Sequence, residues 1–191
     1  MNSFCSLLLR IVLICCPIFL WGCSWIFGGG YGSEEAAAVK NIGVGSGRIA
    51  DPNYSLGQAQ QYKGRMYWPV PGVKPFSKFG RRRGRWHDGV DLAAPVGTPI
   101  YAAHSGTVEY SGDGFKSFGN LIAIKGSGLV TFYAHNDENL VRKGDSVQGG
   151  QLIGFVGKTG RVTGPHLHFE TRIVRSRAAP IAVDPMRFFR R

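Results

Sequence analysis

Apolar and polar positions divide the chain into three stretches. Residues 1–22 carry a single charge, Arg10, and an apolar run from Ile11 to Trp21. Residues 23–65 are rich in Gly, Ser, Ala and Gln, and large apolar side chains thin out after Phe27. From Met66 onward, short runs rich in β-branched and aromatic residues recur at 98–103, 107–111, 120–125, 129–135, 151–156 and 166–174. Glycine-bearing turns such as Lys125-Gly126-Ser127-Gly128 and Gln148-Gly149-Gly150 separate them. Closely spaced short strands with turn signals, and no amphipathic helical period, predict an all-β domain over 66–191, a compact antiparallel sheet or sandwich.

The first stretch is too short to span a bilayer comfortably, which takes about 20 apolar residues. A basic residue, a short apolar core and small residues after it predict a signal peptide over 1–22. The string Leu20-Trp21-Gly22-Cys23 resembles a bacterial lipobox, with Trp21 where a small residue is usual. That resemblance implies lipid on Cys23 and a membrane anchor. Ser24 after the cysteine implies outer-membrane sorting, facing the periplasm, if the organism has two membranes. All four cysteines, Cys5, Cys15, Cys16 and Cys23, lie in or at the end of the leader. The domain therefore has no disulfide and no thiolate to offer a metal. Residues 23–65 read as a flexible tether, because so few apolar side chains cannot bury a core of their own.

Composition narrows the class. Charged residues make up 18% and aromatic residues 12% of the chain, which excludes a disordered or coiled-coil polypeptide. A net charge of +11 and the run Arg81-Arg82-Arg83-Gly84-Arg85 suit an anionic partner. Export and the lack of a nucleic-acid recognition motif argue against nucleic acid. Phe76, Phe79 and Trp86 interleave with these charges, either lining a groove or anchoring a loop.

The chemistry gathers around histidines. His87 and Asp91 are four apart, so in one strand they share a face, with Gly89 giving the backbone room. His166, His168 and Glu170 alternate with the core-type residues Leu167 and Phe169. Two histidines and a carboxylate, with a fourth position for water, make an open catalytic zinc site. If His87, Asp91 and one of the later pair hold the metal, the other histidine stays beside it, and His135 is a further candidate. His104 reads as a surface residue and Asp88 as solvated. Tyr133 either contacts substrate or packs, and Glu170 has an exposed or structural role.

His87-x-x-x-Asp91, Tyr133-Ala134-His135 and His166-Leu167-His168, with the glycine-rich lead-in from Gly154 to Gly160, occur in that order. Together they resemble the lysostaphin-type, LytM-like zinc endopeptidases that cut peptide bonds in bacterial peptidoglycan. The resemblance covers roughly 69–185. It implies that His87, Asp91 and His168 hold Zn2+ and that His135 and His166 are catalytic. It also implies peptidoglycan as the partner and the bacterial envelope as the location. Relatives lacking ligands activate cell-wall amidases, so a non-hydrolytic regulator, partnered by an amidase or by the division machinery, is the alternative.

Overall fold

The computed structural model describes residues 42–44, 47–51, 53–82 and 84–189, all within one compact unit, Tyr31–Arg191. The leader and Cys23 lie outside the described residues. The described residues are nearly all-β, as the alternation predicts. Strands run β1 (Arg48–Ile49), β2 (Gly80–Arg82), β3 (Arg85–His87), β4 (Val90–Ala93), β5 (Pro99–Tyr101) and β6 (Gly106–Gly112). They continue with β7 (Asn120–Gly126), β8 (Leu129–Asn139), β9 (Ser146–Val147), β10 (Leu152–Val156), β11 (His166–Arg175) and β12 (Ala178–Val183).

Ten strands form one sheet whose main path is β1-β12-β11-β8-β7-β6-β9, with β4 on β11 and β10 between β5 and β8. The remaining two, β2 and β3, form a hairpin carrying the basic run. Pairing is antiparallel throughout except between β1 and β12, so the sheet is mixed.

Register assigns the two faces. Leu167, Phe169 and Tyr133 point into the main core with Val90, Leu92, Ile100, Ile122, Ile124, Ile153 and Val156. On β11 the opposite face carries His166, His168 and Glu170. Across the ladder His168 lies opposite Ala134 and Glu170 opposite Phe132, both of which pack in a second cluster with Leu121 and Ala123. The candidate chemistry therefore sits on the sheet face away from the main core.

The described part of the 23–65 stretch lies on the domain. Leu56 and Ala59 are buried around a short 3-10 turn, Gly57–Tyr62, in a cluster with Leu129, Ile173 and Phe188. Its apolar side chains are too sparse to mark an element in the sequence. Ile42, Leu56 and Ala59 are nevertheless buried, and burial of one leucine contributes about 2 kcal/mol.

Candidate metal centre and active-site cleft

His87 closes β3 and Asp91 lies in β4, with a turn at Asp88 and Gly89 between them. They converge through that turn rather than along one strand. Gly89 is required there: a Cβ would lie 2.3 Å from the Phe169 carbonyl oxygen and 2.9 Å from Cγ of Glu170. No side chain fits while the turn hugs β11. The backbone of Asp91 is clamped as well, donating to the Ser77 carbonyl at 2.9 Å and accepting from the Phe76 N–H at 3.0 Å. Its partner across the ladder is His168.

Three side-chain atoms then meet. His87 Nε2 lies 3.0 Å from Asp91 Oδ1 and 3.0 Å from His168 Nδ1, and His168 Nδ1 lies 2.8 Å from Asp91 Oδ1. The other nitrogens fix the tautomers. His87 Nδ1 faces the Lys78 carbonyl at 2.9 Å, which can only accept, so Nδ1 carries the proton and Nε2 is bare. His168 Nε2 donates to Glu170 Oε1 at 2.9 Å, leaving Nδ1 bare. With both imidazoles neutral, two lone pairs and a carboxylate oxygen thus point at one another with no proton between them. Such a triangle is repulsive unless a cation enters it. Its edges are close to the roughly 3.3 Å expected of donors about 2.0–2.1 Å from a tetrahedral zinc. The donor set, nitrogen and oxygen without sulfur, fits zinc.

The titration of the metal-free site says the same. Burial opposes the charge on His168, but bonds to Asp91 and Glu170 outweigh it and raise its pKa to about 9. Burial likewise opposes the charge on Asp91, yet the imidazoles of His168 and His87 hold its carboxyl well below the usual range. A proton takes the place that a divalent ion would fill.

The two other predicted histidines flank this triangle. His135 sits where Asn136 pairs with Asn120 and Ala134 with Leu121, so it is the extra residue of a β-bulge. Its φ of 68° is the only positive value for a non-glycine among the described residues. Left-handed backbone at a bulky residue costs on the order of 1–3 kcal/mol and marks a constrained site. By simple alternation His135 would follow Tyr133 into the main core. The bulge turns it instead toward His166 and His168, with ring centroids 4.9 and 5.8 Å away. His135 Nδ1 donates to the Thr159 carbonyl and His166 Nδ1 to the Gly164 carbonyl, each at 2.9 Å. Both Nε2 atoms are therefore bare, and that of His166 lies 3.7 Å from Asp91 Oδ1. Burial, then the neighbouring His168 and His166, lowers the His135 pKa to about 4.

Beneath His168 the charges continue inward. Glu170 and Arg172 are each 1% exposed. Arg172 donates from Nε at 2.7 Å and pairs through Nη2 at 2.6 Å with Glu170 Oε2, and its guanidinium stacks 4.7 Å from the Phe132 ring centroid. Coulombic attraction to Arg172 and the bonds to His168 and Arg172 keep Glu170 ionised against its burial. Of the two roles open to Glu170, structural is the one found: it orients a candidate ligand.

Two other expectations, for His104 and Asp88, are corrected, and of the two readings of Tyr133 one is selected. His104 is not at the surface. It is 3% exposed, bonds Thr131 Oγ1 at 3.0 Å and is covered by the Tyr62 ring, and burial lowers its pKa. Asp88 is not left to solvent, because Arg48 of β1 grips it with Nε at 2.5 Å and Nη2 at 3.0 Å. Tyr133 packs rather than reaching substrate; its hydroxyl accepts from the Ala103 N–H at 2.7 Å, and burial raises its pKa. The latch between Arg48 and Asp88 joins distant segments and carries no local sequence signal.

His87, His135, His166, His168 and Asp91 line a cleft of about 700 Å³, together with Phe76, Arg82, Arg85, Trp86, Phe118 and Arg161. Phe79 stacks edge-on against Trp86 and anchors it, with ring centroids 5.7 Å apart.

Comparison with known proteins matches residues 85–182 to the sequence model of peptidase family M23. The peptidoglycan DD-endopeptidase ShyC of Vibrio cholerae is 51% identical over 154 residues, covering 74% of this chain and 35% of that protein. The murein hydrolase activator NlpD of Salmonella dublin is 36% identical over 138 residues, covering 72% of this chain and 36% of that protein. Among solved structures, the catalytic domain of the antimicrobial peptidase lysostaphin from Staphylococcus simulans matches with a TM-score of 0.56 at 32% identity. That match covers 62% of this chain and 93% of the other. The first curated relatives are longer: the chain spans 20% to 45% of their lengths.

Proposed function

This chain belongs to peptidase family M23, and on that premise we propose that it is a zinc endopeptidase hydrolysing peptide bonds in bacterial peptidoglycan. The observation that carries the reading is the triangle of bare donors from His87, Asp91 and His168, with edges of 2.8 to 3.0 Å. These three residues would hold the ion. Zinc bound there supplies a Lewis acid and makes a water molecule acidic near neutral pH.

The chain's own residues then supply proton transfer. His135 and His166 keep their protons on Nδ1, against carbonyl oxygens, and offer bare Nε2 atoms to the cleft. One accepts a proton from the attacking water and one returns a proton to the leaving amine. His135, held neutral at pH 7, is ready to accept. With no covalent intermediate, no serine or cysteine nucleophile is needed.

We further propose a lipid anchor on Cys23 and a place in the cell envelope, on the periplasmic side of the outer membrane if the organism has two membranes. The lipobox-like Leu20-Trp21-Gly22-Cys23 supports this. The alternative, a regulator of cell-wall amidases, draws support from the similarity to NlpD. The complete donor set favours the enzyme, since loss of one ligand normally disables an open site.

Purified peptidoglycan digested by the zinc-loaded protein without its leader, with products identified by mass spectrometry, tests the proposal. New peptide termini that vanish on chelation are expected. No cleavage, combined with stimulation of a purified amidase, would establish the regulator instead.

A further inference from the structure

The cleft carries charge that its hydrolytic residues do not use. Three guanidiniums line it: Arg82 and Arg85 from the β2–β3 hairpin, and Arg161 from the connection between β10 and β11. A second cavity of about 770 Å³, lined by Phe76, Ser77, Arg82, Arg85 and Trp86, extends the surface along the hairpin.

Each carboxylate lining the cleft already has a partner. Asp88 is held by Arg48, Glu170 by Arg172, and Asp91 by the histidines and by Arg82 Nη1 at 3.3 Å. Arg82 is further occupied by Ser77 Oγ. Among the described residues, no side-chain hydrogen bond or ion pair engages the guanidinium of Arg85 or of Arg161. Both are exposed at the cleft. Phe76, 62% exposed, lines the same cleft and stands edge-on to His166 with ring centroids 5.8 Å apart.

We propose that Arg85 and Arg161 are specificity-determining residues that bind free carboxylates of the substrate, so that the cleft selects acidic peptides. This rests on the reading of the cleft as a peptidase site. A guanidinium presents a planar fork of donors that matches a carboxylate, and two such forks beside a proton-transfer centre select charged groups near the scissile bond. The exposed Phe76 ring offers a face for the apolar stem of an acidic residue. Two uncommitted guanidiniums on separate segments bordering one cavity suit a peptide with spaced carboxylates, and a continuous polyanion held along the hairpin's basic run is the competing outcome of the test.

The test uses insoluble peptidoglycan in two forms, native and with its carboxyl groups amidated. Binding to the chelator-treated protein is read by co-sedimentation, and hydrolysis by the zinc-loaded protein is read separately. Native material should bind about tenfold tighter than amidated material, and Arg85→Gln or Arg161→Gln should each cut that preference about fivefold. Arg142→Gln, an exposed arginine that does not line the cleft, serves as the control and should keep it. Equal binding of the two forms would overturn the inference, as would displacement by inorganic polyphosphate as effective as by a soluble acidic peptide. Carboxylate-dependent binding without any hydrolysis leaves this inference standing and removes the peptidase reading. Hydrolysis with carboxylate-independent binding does the reverse.

Discussion

Glu170→Gln preserves shape and removes one charge at the base of the site. Glu170 Oε1 accepts the His168 Nε2 proton at 2.9 Å, while Oε2 takes Arg172 Nε at 2.7 Å. Both neighbours are donors, and a glutamine has only one acceptor atom to offer them. If its oxygen stays with Arg172, its NH2 faces His168 and drives that proton to Nδ1, the atom that should be bare. If its oxygen faces His168, its NH2 meets the guanidinium of Arg172. The first arrangement weakens metal binding, where loss of such a supporting partner costs about 10–100-fold in affinity. The second breaks a buried ion pair at one end, which costs about 3–5 kcal/mol. For a domain of this size that loss corresponds to roughly 6–20 °C in Tm. Competition with a chromophoric chelator measures the zinc affinity, and thermal melts with and without zinc measure the stability. A variant that binds zinc as the wild type does and melts within about 1 °C of it would show that the tautomer argument is wrong.

Gly89→Ala places a Cβ 2.3 Å from the Phe169 carbonyl oxygen, so the turn between His87 and Asp91 must shift. A loss of about 3 kcal/mol or more in urea melts, together with weakened zinc uptake, is expected, and a silent substitution would contradict the close approach. His135→Gly should be more stable than His135→Ala by about 1 kcal/mol, because glycine tolerates the left-handed backbone. Both variants should bind zinc, and both should lose hydrolysis by about 10²-fold or more, as read from metal content and peptidoglycan digestion. In the metal-free protein, His168 has a folded pKa of about 9 against an ordinary 6.5. Its contribution is therefore complete below about pH 6.5 and fades as pH rises through about 9. Urea melts of chelated protein between pH 6 and 10 should show that decline, and His168→Gln should flatten it.

Much of the fold can be read from local pattern, and the exceptions have physical causes. Strands β7, β8 and β11 are legible because each is buried on one or both faces and rich in Val, Ile, Phe and Tyr. Strand β12 hides in Ala178-Ala179-Pro180-Ile181-Ala182-Val183, where proline and alanine read as a loop. Its pairing with β11 imposes the extended form. The β2–β3 hairpin is masked by arginine and glycine, yet its register sets Gly80 opposite His87 and fixes one end of the turn between His87 and Asp91. His166 and His168 are legible because a spacing of two along β11 sets them on one face, whereas His87 and Asp91 are legible as a pair but meet through the turn at Asp88 and Gly89 rather than along one strand. The orientation of His135 is not, since a bulge cancels the alternation that places Tyr133 in the core. The burial of His104 and the pairing of Asp88 depend on Tyr62 and Arg48, far away along the chain.

The four site histidines share one rule of construction: each has one nitrogen tied to an acceptor on the protein. Lys78, Thr159 and Gly164 supply backbone carbonyls to His87, His135 and His166, while Glu170 supplies a carboxylate to His168. Backbone carbonyls cannot donate, so three of the four tautomers are set by the chain path itself. Only His168 depends on a side chain, and that side chain is in turn held by Arg172 in the interior. Which nitrogen faces the cleft is thus decided on the far side of each ring. The bare nitrogens concentrate negative potential at one point, and the guanidiniums of Arg85 and Arg161 set positive potential at the rim. A cation belongs at the first and an anionic substrate group at the second, so a peptide held by its carboxylates would present its backbone to the centre between them.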